Sequence, residues 1–71
     1  MELIEHANKE RLSREAAAER LRQLADQLSR HNEVSFSRDG LRYRVDVPDE
    51  VELTLEVEVG DESEIEVEIK W

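Results

Sequence analysis

The chain has 71 residues, 41% of them charged, with no cysteine and a net charge of −9. That length predicts one domain, residues 1–71, whose core is marginal unless packing is very regular or a partner subunit contributes. The composition excludes disulfides and thiolate metal sites, and no apolar run is long enough to span a bilayer.

The start, MELIEHANKERL, lacks the basic and apolar regions of a signal peptide, so a soluble cytoplasmic protein is expected. Charge is unevenly spread. Residues 1–44 carry a net +1 and residues 45–71 a net −10, with no Lys or Arg between Arg44 and Lys70. Nucleic acid is bound by neutralising phosphates with Lys and Arg. The acidic half repels it, and repels anionic membranes in the same way, so neither is expected as a partner.

In chain order, the first candidate is a short strand near residues 3–8, where Leu3 and Ile4 are adjacent and alternation selects no face. A helix start follows at Leu12-Ser13-Arg14-Glu15. Ser13 can accept a hydrogen bond from a free N–H of the first turn, and Glu15 sits where the helix dipole favours an anion. Leu12 and Ala17 have the spacing of a hydrophobic staple. Ala17, Leu21, Leu24, Ala25 and Leu28 make one apolar face. The helix is predicted to run to about residue 29 and to close at His31-Asn32, with Asn32 as a tolerable left-handed residue.

The period then changes to two. Val34 and Phe36 alternate with Ser35 and Ser37, which should face water. Asp39-Gly40 is a type I′ hairpin signal. A two-residue loop there sets Phe36 opposite Tyr43 and Val34 opposite Val45, apolar against apolar. Leu41, Tyr43, Val45 and Val47 form the next strand, and Pro48-Asp49-Glu50 breaks it. Val51 to Val59 and Ile65 to Trp71 form the last two, with Gly60-Asp61 opening the turn between them. The predicted fold is α+β in two layers, order β-α-β-β-β-β, with one helix on one face of a mainly antiparallel sheet of four to five strands.

The segment VELTLEVEVGDESEIEVEIKW places a glutamate at almost every second position. Successive side chains in a strand point to opposite faces, so the valines, leucines and isoleucines should meet the helix and the glutamates water. Two registers keep apolar residues together. Pairing Val57 with Ile65 sets Glu56 opposite Glu66, Glu58 opposite Glu64 and Glu52 opposite Lys70. Pairing Val59 with Ile65 sets Glu56 opposite Glu68 and Glu58 opposite Glu66. Either opposes like charges, which costs a few tenths to about 1 kcal/mol per pair. Pairing Val47 with Val51 would bring Arg42 opposite Glu56 and Arg44 opposite Thr54 and offset part of this. The ladder also discourages edge-to-edge aggregation. A flat face does not wrap six to eight oxygens around one ion, so Glu52, Glu56, Glu66 and Glu68 are read as a solvated face rather than a metal site.

The chain resembles the amphi-Trp domain family. The resemblance lies in Leu12-Ser13-Arg14-Glu15 with Ala17, Leu21 and Leu24-Ala25-Asp26, and in the closing Ile65-Glu66-Val67-Glu68-Ile69-Lys70-Trp71. It covers the chain from about residue 3 to the end. Asn8–Arg11 is longer and more polar than the family pattern. The resemblance implies the fold and gives weight to Trp71; it implies no activity.

No catalytic constellation is legible. His6 and His31 lie in different segments without zinc-ligand spacing, Ser13 is a helix cap, and Gly40 and Gly60 are turn residues rather than a phosphate loop. The chain is therefore expected to be no enzyme and to use no cofactor, catalytic residue or metal. A helix is about 10–12 Å across and strands lie about 4.8 Å apart, so one helix covers two or three strands. Either twist curls a four-stranded sheet around the helix, or a second copy or another protein covers the rest of its apolar face. The expected function is that of a small acidic interaction module. It forms a homodimer or binds an unidentified protein through the apolar sheet face or closing strand, with Trp71, Ile69 and Val67 at the interface. The alternative is a small apolar ligand held between helix and sheet.

Overall fold

A computed structural model of the protein describes residues 7–71. It contains a helix α1 (Arg14–Arg30) and strands β1 (Glu33–Arg38), β2 (Leu41–Asp46), β3 (Glu52–Glu58) and β4 (Glu64–Lys70). The α+β class follows from this order. Most of the strand expected near residues 3–8 lies outside the described residues, and residues 7–13 form no helix or strand.

The helix begins as its sequence predicts. Ser13 has extended backbone, and its Oγ accepts from the Ala16 N–H at 3.1 Å. This satisfies one of the donors that a first turn leaves open. Upstream, Glu10 accepts from Arg20 at 3.1 and 3.4 Å and from Asn8 at 3.2 Å, tying the approach segment to the second turn. The other end differs from expectation. His31 donates its N–H to the Gln27 carbonyl at 2.9 Å in extended conformation, φ −133°. Among the described residues only Asp39 and Gly40 have positive φ, so Asn32 is not left-handed. The chain passes straight from helix to strand. Asn32 instead offers its carbonyl to the Val47 N–H at 2.7 Å, which extends the β1–β2 ladder by one pair.

The β1–β2 hairpin has the predicted register, with Arg38 opposite Leu41, Phe36 opposite Tyr43 and Val34 opposite Val45. Asp39 and Gly40 take φ of 52° and 76°, the two positive values of a type I′ turn. The Phe36 and Tyr43 rings stack with centroids 5.3 Å apart, a cross-strand contact worth about 0.5–1.5 kcal/mol beyond its burial. Pairs alternate along an antiparallel ladder, and the Ser35 N–H points to the free edge of β1. Gln27 of the helix accepts that N–H through Oε1 at 3.1 Å. Ser35 is consequently half-buried rather than on an open face. A helical side chain thus caps the strand edge, and the helix sits against β1.

The expected single sheet is not what the strands form. They make two separate two-stranded antiparallel sheets, β1–β2 and β3–β4. The β2–β3 pairing, with Arg42 opposite Glu56, is absent within the chain. Val47 is drawn into the first hairpin by its bond to Asn32, Pro48 supplies no N–H to continue a ladder, and β3 starts at Glu52 away from β2. Alternation specifies which face of a strand is apolar, but not which edge it joins. The apolar face of β3–β4 likewise does not rest on the helix. Leu53, Leu55, Val57 and Ile65 are all exposed, Ile65 at 75%. Val47, 8% exposed, is the one buried apolar residue described.

A Cβ on Gly40 would meet nothing within 4 Å, so Gly40→Ala carries only the backbone penalty of positive φ. Equilibrium urea unfolding followed by circular dichroism should show a loss of about 1 kcal/mol.

Candidate interaction surface

Three elements meet around one apolar groove of about 380 Å³. Leu21, Leu24 and Leu28, at helical spacing, supply one wall. Val34, Val45 and Val47 of the first hairpin supply the floor. Val67, Ile69 and Trp71 close the other side. All three residues singled out from the closing strand therefore reach one site. They are not equally covered. Ile69 is half-buried, whereas Val67 is 46% and Trp71 59% exposed. Trp71 is thus a partly seated side chain at the rim and not a core plug. Val47 and the three leucines were legible as apolar-face residues but not as walls of this groove. The signal for Val47 is its place immediately before Pro48, where the strand ends.

The groove continues onto the bare face of β3–β4. The observed register is the one that pairs Val57 with Ile65, so Leu53–Ile69, Leu55–Val67 and Val57–Ile65 form three apolar cross-strand pairs on one face. On the other face Glu56 opposes Glu66, Glu58 opposes Glu64 and Thr54 opposes Glu68, with Lys70 opposite Glu52 at the end. The electrostatics follow from this geometry. A hydrogen bond shared with Glu64, then the negative charges of Glu64, Glu56 and Glu68, hold the Glu66 carboxyl above its ordinary pKa. Glu10 moves the other way, lowered by its bonds to Asn8 and Arg20 and by the Arg20 charge.

His31 takes part in the helix cap, and His6 lies outside the described residues. Among the described residues no three His, Cys, Asp or Glu side chains gather as metal ligands, and no helix is long and apolar enough to cross a membrane.

The fold and the groove define a small α+β domain whose amphipathic closing strand delivers a terminal tryptophan to a helix-lined apolar cleft. The chain belongs to the Amphi-Trp domain family, whose model matches residues 2–71. Comparison with curated proteins and with solved structures gives no match.

The glutamate face generates two linked expectations. Salt screens like charges on an exposed face, so the melting temperature should rise from low to high NaCl; a flat or falling value would contradict the repulsion. A carboxyl whose pKa is raised on folding binds its proton more tightly in the folded state. For Glu66 the folded state is therefore weakest at neutral pH and gains stability as pH falls through the raised value towards the ordinary glutamate range. Glu10 has the opposite sign, and its contribution is lost as pH falls through its lowered value. Melting of Glu66→Gln against the unaltered chain over this range isolates the first effect: the difference between them should shrink on acidification.

Proposed function

We propose that the protein is a non-enzymatic interaction module that self-associates through the apolar face of the β3–β4 hairpin and the closing strand. The observation that carries this reading is surface area. A folded chain of 8.3 kDa exposes about 4,600 Å². This chain exposes 7037 Å², about 2,400 Å² more. Among the described residues, Leu53, Leu55, Val57, Val59 and Ile65 are 58–82% exposed. Obligate dimers bury about 1,000–2,500 Å² per partner, so a second copy is of the right size to cover such a surface.

The distribution of charge supports the same occupant. Leu53, Leu55, Val57, Ile65 and Val67 share a face without an ionisable group, while the glutamates lie on its reverse. Two such hairpins can approach by their apolar faces and keep both glutamate ladders in water. Burying this face also avoids the exposed apolar patch that isolated soluble monomers rarely carry.

Sedimentation equilibrium of the full chain and of Trp71→Ala, at low and high salt, tests the reading. The full chain should be dimeric and more tightly so at high salt. Removing an interfacial tryptophan should raise the dissociation constant by about thirtyfold or more. A monomer at every concentration would overturn self-association.

A second reading rests on the groove itself. Its volume of about 380 Å³ and its lining of aliphatic side chains and Trp71 suit a small apolar ligand. With net charge −9 the ligand would be neutral rather than anionic. Decanol should then raise the melting temperature in proportion to the logarithm of its concentration, and Leu24→Ala should abolish the shift.

A further inference from the structure

Among the described residues two strand edges are open, and the charges along them are largely opposite. In a two-residue hairpin closed by Arg38 and Leu41, the odd residues of β2 face β1 with their backbone groups, and Arg42 and Arg44 present theirs to the outer edge. Their side chains lie on the polar face of the sheet. Arg42 donates to Ser35 Oγ at 3.1 Å and meets no carboxylate among the described residues. Arg44 reaches Glu33 only at 3.9 Å. Among the described residues the outer edge of β3 is unpaired, and its polar face carries Glu52, Glu56 and Glu58. The β2 edge thus carries two cations beside one anion, Asp46, and the described β3 edge carries anions without a cation.

Resting on the self-association reading above, we infer that β2 of one copy pairs antiparallel with β3 of another. Aligning the apolar faces requires odd residues to meet odd ones, because a slip by one residue would turn each valine and leucine outward. The register with full overlap sets Leu41 opposite Val57, Tyr43 opposite Leu55 and Val45 opposite Leu53. It then necessarily sets Arg42 opposite Glu56 and Arg44 opposite Thr54 on the polar face, with Asp46 opposite Glu52 at the end, so the charge complementarity of the junction rests on Arg42 and Glu56. The second copy, rather than the same chain, is taken to supply β3 because β3 makes no pair with its own β2, from which Pro48 and the residues before Glu52 separate it. The connection leads β3 away from its own β2. In a symmetric pair the junction occurs twice, and each extends a two-stranded sheet to four. The apolar face of each β3–β4 hairpin becomes continuous with the β1–β2 face that the other copy's helix covers. The negative charges of one copy's hairpin gain the arginines that its own fold withholds.

A charge exchange tests pairing between copies against pairing within a chain. A chain carrying Arg42→Glu and Arg44→Glu, and a second carrying Glu56→Arg, should each self-associate about tenfold or more weakly than the unaltered chain, since like charges face each other at both junctions. Mixed in equal amounts, they should form a heterodimer with the unaltered affinity in sedimentation, because each junction regains an opposite-charge pair. A mixture no better than its components, with all three substitutions in one chain restoring stability, would place the pair within a chain and overturn the inference while leaving self-association standing. A monomeric unaltered chain would remove both. The native chain has no cysteine, which provides a check that does not depend on the charge-reversed chains folding. Arg42→Cys and Glu56→Cys chains, mixed under mild oxidation, should give a covalent dimer of mixed composition. Failure to cross-link above the level of either chain alone would overturn the pairing.

Discussion

The alternation of aliphatic residues with glutamate along residues 52–70 constrains everything else in this molecule. It produces a hairpin with one face of cross-strand aliphatic pairs and one of opposed carboxylates. Neither face is at rest. The first has apolar area in water, at about 25 cal/mol per Å²; the second holds like charges near one another. Burying the first and screening the second are separate problems. The chain places them on opposite sides, so that solving one does not aggravate the other.

The rest of the chain supplies a platform. Helix α1 and the β1–β2 hairpin are joined by local devices: a serine cap, a backbone bond that turns the helix directly into a strand, a glutamine that closes a strand edge, and a stacked aromatic pair. These are modest individually. Together they orient Leu21, Leu24 and Leu28 towards the valines of the first hairpin and leave the cleft into which Trp71 leans. The closing strand reaches the platform only by its end. Leu21, Val67 and Trp71 around the cleft therefore stay about half exposed within the chain.

Local features were legible from the sequence because their causes are local. Ser13 announces the helix, Asp39-Gly40 sets a register that the whole first hairpin obeys, and alternation sorts the glutamates. One of two admissible registers for the last hairpin is realised, and the alternation could not choose between them since both keep apolar residues together. The end of the helix was misjudged at Asn32 because an extended exit that feeds a ladder competes with a left-handed cap, and the Val47–Asn32 bond decides it. Whether β2 joins β3 is illegible for a different reason. A strand edge carries no mark in the sequence of which chain it belongs beside. The groove was visible only as its separate walls, which lie far apart in sequence.

The turns have a consequence for how the chain comes into being. Asp39-Gly40 closes one hairpin, and the residues between Glu58 and Glu64 close the other; the helix needs only its own residues. Loops of that size close in well under a microsecond, and proteins dominated by such local pairings fold fast. Synthesis at roughly 5–20 residues per second is slow by comparison. The helix and first hairpin need only contacts close in sequence, so they can form before the acidic strands join them.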